Sequence, residues 1–251
     1  WQLRKASENP RARLQFSMAL WVIAVLMPVQ IVVGDLHGRH TLQAQPQKVA
    51  AIEASWTRPA QGAGEPLRLF AWPDRQERRN HWEVAIPRVG SLYLQHDLTS
   101  TIAALDEFPP EVIPPVPPGF FAFRLMVGLG LLMLGQGVVS LFLRRRNRLF
   151  TARGWLGACV LLAPAGFVAM LSGWVVTEVG RQPFTVYGLM RTADSLSSVS
   201  RAQVIASTWL ILLFYLLIFG IGLWVLLRLL REPPQQDQPG PQPTLADETG
   251  H

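Results

Sequence analysis

Four long apolar runs, separated by polar segments, dominate the pattern of the sequence. They cover residues 16–33, 120–143, 154–176 and 204–227. A helix needs about 20 apolar residues to cross the hydrocarbon core of a bilayer, so each run predicts one transmembrane helix. The first run is the shortest and contains Pro28, and Gly34 and Asp35 are expected to close it.

Arginines and lysines gather at alternate ends of these runs and predict an orientation. The flanking basic residues are Arg4, Lys5, Arg11, Arg13, Arg144, Arg145, Arg146, Arg148, Arg153, Arg228 and Arg231. If each run crosses the bilayer once, all of them fall on one side, and the positive-inside rule makes that side cytoplasmic. Both termini are therefore expected in the cytoplasm. Residues 34–119, called the outer segment below, are expected in the periplasm.

The segments between and after the runs carry signals of their own. The outer segment ends in a proline-rich stretch over 109–118, which is expected to enter the second span as an extended strut. Its four histidines, His37, His40, His81 and His96, are expected to be structural or solvent-facing. Residues 177–203 are expected to include a short helix on the membrane surface, and residues 232–251, rich in Pro, Gln and Gly, to be disordered. The predicted fold class is all-α: an integral membrane helical bundle of four transmembrane helices with a periplasmic loop region.

The composition supports a membrane protein and excludes several kinds of site. Of the 251 residues, 49% are apolar and only 16% are charged, whereas soluble domains carry about 25% charged residues. The single cysteine, Cys159, excludes an internal disulfide, a zinc site of several thiolates and a cysteine-held iron–sulfur cluster. The net charge of +6 does not predict nucleic-acid binding, because the basic residues lie beside the apolar runs. The first residue is Trp1, so the sequence is expected to begin within a larger protein.

A first candidate cluster for chemistry lies near the outer end of the second run, where Arg124 and Met126 interrupt apolar residues. An ionisable side chain at membrane depth costs about 2.5–3.5 kcal/mol on insertion scales and is usually functional. Arg124 therefore predicts an anionic partner, with snorkelling to the outer surface as the alternative. Met126 taken alone is typical of a core-filling side chain.

A second cluster lies near the outer end of the third run. Trp174 and Glu178 are four residues apart and share a helix face, and Arg181 is close enough to reach the same carboxylate. The alternative is an interfacial tryptophan beside an exposed ion pair. A thioether at Met126 and a carboxylate at Glu178, on neighbouring helices, are of the types that ligate haem iron.

Four short sequence motifs are spread over nearly the whole ordered chain. They are Gly-Asp-Leu-His-Gly at 34–38, Gln-Pro-Gln-Lys-Val-Ala-Ala-Ile-Glu at 45–53, Phe-Arg-Leu-Met-Val-Gly-Leu-Gly at 123–130 and Glu-Val-Gly-Arg-Gln-Pro at 178–183. In this order they resemble subunit I of the cytochrome bd-type quinol oxidases, which has nine transmembrane helices. The chain resembles only its C-terminal half, in the short-loop form that includes cyanide-insensitive oxidases. The family signature usually ends in tryptophan, where this chain has Phe184.

The resemblance implies cofactor roles for both clusters. It implies that Met126 is an axial ligand of the low-spin b haem iron, with Arg124 beside that haem. It implies that Glu178 is a ligand of the high-spin b haem iron, with Trp174 as its neighbour and Arg181 as the signature arginine. The remaining cofactor would be haem d or a further haem b.

The resemblance also implies a quinol site in the outer segment, the Q-loop of this family. Lys48 and Glu53 match the pair implicated in quinol binding, and Asp35 matches an acidic residue at the start of the loop. Glu53 suits a base that passes quinol protons to the outer water, and Lys48 suits a donor to a quinol oxygen. From spacing alone, an ordinary surface Lys–Glu pair is the alternative.

The implied whole is the C-terminal half of the catalytic subunit of a terminal oxidase in a bacterial cytoplasmic membrane. Such an enzyme oxidises quinol at the periplasmic side and reduces O2 to water. The implied partners are membrane lipid, subunit II and the missing N-terminal half, which carries the other haem ligands in the family. By itself the chain is therefore expected to bind haem poorly and to be inactive, which an absorbance spectrum would check.

The division of the chain follows from this assignment. It comprises the lead and first helix (1–33), the Q-loop (34–119), three helices that carry haem ligands (120–231) and the tail (232–251). Two alternatives stand beside the oxidase. One is a non-catalytic membrane scaffold or truncated remnant without haem. The other is a transporter subunit, which predicts polar residues at mid-span, where Gln136 is nearly the only strong one.

Overall fold

The computed structural model describes residues 2–5, 8–195 and 198–231. Within that part of the chain, four helical segments are long and apolar enough to cross a membrane: Pro10–Ala44, Val116–Arg145, Arg153–Gly180 and Arg201–Leu229. The four spans predicted from the apolar runs are confirmed, and so is the largely helical membrane fold. The predicted disorder of residues 232–251 concerns a segment outside the described residues.

The first span is longer than its apolar run. After the short helix α1 (Gln2–Lys5), helix α2 runs over Pro10–Ala44, and its first turn is capped by Asn9, whose Oδ1 accepts from the Ala12 amide at 3.1 Å. The expectation that Gly34 and Asp35 close the helix is wrong, because α2 continues through them. It ends where Pro46 disfavours a helical conformation at the residue before it.

The outer segment has a compact core of its own. It contains α3 (Pro46–Glu53), an antiparallel hairpin of β1 (Leu67–Asp74) and β2 (Arg79–Ile86), α4 (Val89–Gln95) and a 3-10 turn at Leu105–Glu107. The buried core residues are Ala50, Ala51, Ala54, Trp56, Ala71, Leu105, Val116 and Phe120. The last two belong to the second span, so the outer segment is packed onto the N-terminal end of that helix.

The proline-rich stretch is only partly extended. A 3-10 turn at Pro110–Val112 interrupts it, and Pro117 and Pro118 already lie in the first turn of α5 (Val116–Arg145). Proline is well tolerated there, because the first amides of a helix have no intrahelical acceptor. The expectation of one continuous extended strut is therefore wrong.

Helix α5 is central to the described fold and packs against both α2 and α7. Near its C-terminal end, the Arg144 guanidinium donates to Oγ and to the backbone oxygen of Ser17, both at 2.7 Å, and lies 5.0 Å from the Trp21 ring centroid. Arg144, one of the basic residues that flank the apolar runs, thus also ties the first two spans together.

The third span is two helices rather than one. Helix α6 covers Arg153–Leu161 and helix α7 covers Ala165–Gly180, with a turn between them. Pro164 precedes α7, and its ring and missing N–H prevent a regular helix from running through this position. The break was not predicted from the apolar pattern, which Pro164 hardly disturbs.

The segment after α7 is a small hairpin. Strands β3 (Phe184–Val186) and β4 (Met190–Arg191) pair antiparallel, and a 3-10 turn follows at Thr192–Ser195. Of the short surface helix expected here, the described residues show only the four-residue 3-10 helix at Thr192–Ser195. At the hairpin turn, the Tyr187 hydroxyl donates to Oε1 of Gln47 at 2.8 Å, which ties the hairpin to α3.

Helix α8 (Arg201–Arg231) forms a separate unit. Its side chains are exposed along the described length, from Arg201 to Leu229, although most of them are apolar. A helix that is apolar on all sides is typical of a membrane span that faces lipid or other helices.

Candidate functional site

The guanidinium of Arg124 lies at the centre of a buried polar network at the N-terminal end of α5. Its Nε donates to the backbone oxygen of Arg68 at 2.6 Å, and its Nη1 donates to the backbone oxygens of Ile52 at 2.8 Å and Phe120 at 3.2 Å. Its Nη2 donates to Oε2 of Glu53 at 3.1 Å. The predicted anionic partner is therefore present, and the alternative of snorkelling to the surface is wrong.

Glu53 is the last residue of α3 and is only 1% exposed. One carboxylate oxygen pairs with Arg124, and the other accepts a hydrogen bond from the Tyr93 hydroxyl. Burial raises the pKa of Glu53 above that of an ordinary glutamate, and Arg124 and Tyr93 act against this rise. The side chain is thus a shielded base with a higher proton affinity than an exposed carboxylate.

Tyr93 extends from α4, and the outer segment holds its ring among apolar side chains. Burial, followed by the negative charge of Glu53, raises the pKa of the phenol well above its usual value. Tyr93 therefore stays protonated and acts as a hydrogen-bond donor.

A second carboxylate, Glu65, lies fully buried behind the first. Its Oε1 accepts from the Ser55 hydroxyl and from Nη1 of Arg68, each at 2.8 Å, and Arg68 also approaches Oε1 of Glu83 at 3.2 Å. The other oxygen, Oε2, is buried without a hydrogen-bond partner in the described part of the chain. Because Nη1 of Arg68 also donates to the Glu53 backbone oxygen at 3.3 Å, this layer supports the end of α3.

Lys48 and Glu53 point to different helices. The Lys48 stem lies against Gly180, where an added Cβ would be 2.9 Å from Lys48 Cε. Burial lowers the pKa of Lys48, Arg181 lowers it further and Glu178 raises it. Helix α3 thus presents an ammonium group toward the end of α7 and a carboxylate toward the start of α5.

The third residue assigned to the quinol site by resemblance lies elsewhere on the surface of the outer segment. Asp35 is 3.2 Å from Nε2 of His96, just after α4. Of the four outer histidines, His37, His40 and His96 are exposed, and His81 is half-buried with Nε2 3.1 Å from Glu77. This agrees with their expected structural or solvent-facing character.

The thioether of Met126 packs against α7. An added Cβ at Gly173 would lie 2.9 Å from Met126 Sδ, so the missing side chain at Gly173 provides the space that the sulfur occupies. Met126 is half-buried and follows Arg124 by two residues. One turn of α5 therefore carries both the buried cation and the candidate sulfur ligand.

Trp174, Glu178 and Arg181 lie along the C-terminal half of α7 and just beyond it. The carboxylate of Glu178 contacts the Arg181 guanidinium, as the spacing predicted. Both side chains of this pair are partly exposed, and the Trp174 side chain is 64% exposed in the described part of the chain. The pair is thus accessible to a group placed beside α7.

The donor chemistry of these helices suits an iron porphyrin. Met126 offers a neutral thioether, a side-chain group that ligates haem iron in cytochromes, and Glu178 offers an anionic oxygen with a cation beside it. Gly173 leaves room at the sulfur that any larger residue would take. The residues present therefore fit the haem ligation that the resemblance implies.

Sequence reasoning did not identify four polar members of this network, namely Ser55, Glu65, Arg68 and Tyr93. Glu65 and Arg68 have opposite charges three residues apart, which is a weak signal of pairing. Tyr93 belongs to no string that resembles a family, and its contact with Glu53 spans 40 residues of sequence. A contact of this kind becomes visible only when the outer segment is folded.

Comparison with known proteins agrees with the resemblance. Residues 1–234 match the model of the family described as cytochrome bd terminal oxidase subunit I. The subunit 1 of a cytochrome bd ubiquinol oxidase from Bacillus subtilis (strain 168) is 26% identical, with 98% of this chain and 54% of the relative covered. The subunit 1 of the cytochrome bd-II ubiquinol oxidase from Escherichia coli (strain K12) is 23% identical, with 96% and 60% covered.

A solved structure shares the fold. The structure of the bd oxidase from Geobacillus thermodenitrificans superposes with a TM-score of 0.78 at 24% identity, and the match covers 93% of this chain and 53% of that one. The chain thus spans about half the length of the relatives that it matches.

Proposed function

Because the chain belongs to the cytochrome bd terminal oxidase subunit I family, we propose that it is the C-terminal half of the catalytic subunit of a quinol:O2 oxidoreductase. The family consists of membrane-bound oxidoreductases of respiratory electron transport, and members bind haem. The share of the relatives that the chain covers supports its assignment as half of a subunit.

The contact between Glu53 and Arg124 is the observation that carries the proposal. Quinol oxidation releases protons as well as electrons, so the site needs a base close to the path of the electrons. Glu53 is a buried carboxylate whose partner, Arg124, lies two residues from Met126 on α5. The proposed haem ligand thus lies two residues along α5 from the arginine that pairs with the proposed proton acceptor.

In this site the chain's own residues bind and deprotonate quinol. Lys48, the other member of the proposed pair, donates a hydrogen bond to a quinol oxygen and stabilises the negative charge that develops there. Glu53 accepts a proton and later releases it to the periplasmic water. Asp35, which pairs with His96, holds the start of the loop. Residues 34–119 are therefore proposed as the quinol-binding region.

The proposed haem ligands lie on the helices of residues 120–231. Met126, with Arg124 beside it, would hold the low-spin b haem, and Glu178, with Trp174 and Arg181, the high-spin b haem. Bound haem supplies the electron transfer by which O2 is reduced to water. The further ligands of these haems would come from the missing N-terminal half, and the remaining cofactor would be haem d or another haem b.

The proposed setting is the bacterial cytoplasmic membrane, with both termini in the cytoplasm. This orientation rests on the basic residues at the C-terminal end of α5 and at the ends of the other spans. Subunit II and the N-terminal half of subunit I are the proposed protein partners, and lipid surrounds the spans.

The substitution Glu53→Gln in the complete subunit, within the assembled oxidase, tests the proposal. The amide keeps the shape of the side chain but cannot take up the proton, so quinol oxidation should fall by about 10²-fold or more. The haem absorbance spectrum should be unchanged. Glu107→Gln is the matched control, because Glu107 pairs with Arg58 on the exposed surface of the same segment. Full quinol turnover in Glu53→Gln would contradict the proposed role.

A further inference from the structure

Tyr93 is a half-buried residue whose hydroxyl the proposed function leaves without a role. Its ring packs on the cluster formed by Val49, Leu94 and Ile102, and its hydroxyl donates to Oε1 of Glu53. We propose that Tyr93 is a positioning residue of the quinol site, which holds the Glu53 carboxylate in its ionised, proton-accepting form. The inference rests on the proposed role of Glu53 in quinol oxidation.

The geometry of the carboxylate supports this role. Each oxygen of Glu53 has one donor from another element, Tyr93 of α4 for Oε1 and Arg124 of α5 for Oε2. Two donors on opposite oxygens fix the orientation of the carboxylate plane. Because Glu53 is 1% exposed, solvent has little access to replace a donor that is removed.

The charged groups around Glu53 differ from Tyr93 in how they act on its carboxylate. Arg124 from α5 and Arg68 from β1 are the cations that act on Glu53, and Arg68 is shared with Glu65 and Glu83. On α7, the charged groups act on Lys48 instead. Tyr93 therefore supplies a neutral donor to the Glu53 carboxylate. Of the two arginines, Arg124 pairs with Glu53, whereas Arg68 is shared with Glu65 and Glu83.

The phenol acts only as a donor. Burial and the charge of Glu53 raise its pKa well above the usual value, so it does not ionise while Glu53 titrates. Its hydrogen bond lowers the pKa of Glu53 against the opposing effect of burial. Removal of the hydroxyl should therefore raise the pKa of Glu53 further and make it a base only at higher pH.

The test is the pH dependence of quinol oxidation by the assembled oxidase with Tyr93→Phe in its complete subunit. We expect the acidic limb of kcat/KM to move to higher pH by about one unit, with the haem spectrum unchanged. An infrared titration of the Glu53 carboxyl C=O band, identified by its loss in Glu53→Gln, should move in the same direction. Fluorotyrosine at position 93, a stronger donor, should move both to lower pH.

Tyr187→Phe is the matched control. Tyr187 also donates to a residue of α3, but its acceptor is the amide oxygen of Gln47, which does not titrate. Its pH profile should match that of the unsubstituted enzyme. Equal shifts in both tyrosine variants would indicate a general loosening of α3 and would overturn the proposal.

The remaining outcomes distinguish a failure of the role proposed for Tyr93 from a failure of the proposed function. An unmoved acidic limb and infrared titration in Tyr93→Phe, combined with loss of turnover in Glu53→Gln, would overturn the role of Tyr93 and leave the proposed function intact. Full turnover in Glu53→Gln would overturn the proposed function, and the role of Tyr93 with it.

Discussion

At the scale of the residue, the site depends on how a buried guanidinium is satisfied. Arg124 uses three backbone oxygens and one carboxylate, so most of its donors meet acceptors that cannot be removed by a side-chain change. The Glu53 carboxylate, in contrast, has only Arg124 and Tyr93 as hydrogen-bond donors in the described part of the chain. Loss of the arginine should therefore leave an unpaired buried carboxylate.

The substitution Arg124→Gln should lower the free energy of unfolding by about 3–5 kcal/mol, because breaking a buried pair exposes the full desolvation cost of the remaining charge. Glu53→Gln in the same background should recover part of this loss, since the unpaired charge is then gone. Chemical denaturation of the detergent-solubilised subunit measures both. The control is Arg58→Gln, which breaks the exposed pair with Glu107 and should leave stability close to that of the unsubstituted protein. Equal losses for Arg124→Gln and Arg58→Gln would contradict this account.

Much of this residue-level picture was predictable. Arg124 within an apolar run predicted an anionic partner, and the partner is present. The spacing of Glu178 and Arg181 predicted their contact, which is also present. The identity of the partner as Glu53 was not predictable by spacing, because the two residues are 71 positions apart. The roles assigned to Lys48, Asp35, Met126, Trp174 and Glu178 rest on resemblance and remain predictions.

At the scale of the element, glycines set how closely α7 meets its neighbours. An added Cβ at Gly173 would lie 2.9 Å from Met126 Sδ, and an added Cβ at Gly180 would lie 2.9 Å from Lys48 Cε. Both contacts are with the flexible parts of side chains, so the neighbour moves more easily than the backbone. Gly173 and Gly180 therefore affect where the Met126 sulfur and the Lys48 ammonium lie more than whether α7 packs against its neighbours.

The substitution Gly173→Ala should accordingly displace the Met126 thioether, with a stability change within about 1 kcal/mol, since alanine also favours the helix. The reduced-minus-oxidised spectrum of the assembled oxidase should show a weakened or shifted low-spin haem signal. Gly166→Ala on the same helix is the control, because the nearest atom to its added Cβ is 3.9 Å away. A low-spin signal that Gly173→Ala leaves unchanged would argue against Met126 as the ligand.

The elements also show where the sequence pattern was insufficient. Apolar runs predicted four spans, since length and composition suffice for that. Pro46 and Pro164 determine locally where α2 ends and where the chain breaks before α7. The length of an apolar run contains no information about these effects. The two hairpins carry mixed polar and apolar residues with irregular register, so strict alternation was absent as a signal.

At the scale of the whole molecule, the chain spans about half the length of the relatives that it matches. Its family match covers residues 1–234, yet it spans only 54% of one relative and 60% of another. Met126 is the residue of α5 that we propose as a haem ligand, and any further ligand of that haem would come from outside this helix. The proposed activity thus belongs to the assembled oxidase, and each haem measurement has to be made there.

We propose that α5 holds haem iron through the Met126 sulfur, two residues from the arginine that pairs with the Glu53 carboxylate. Met126→Leu in the complete subunit tests it most directly through the reduced-minus-oxidised absorbance spectrum of the assembled oxidase. Met133→Leu, a half-buried methionine on the same helix, is the control. We expect Met126→Leu to remove the low-spin b haem signal while membrane insertion and the Met133→Leu spectrum stay normal. A full low-spin signal in Met126→Leu would contradict it.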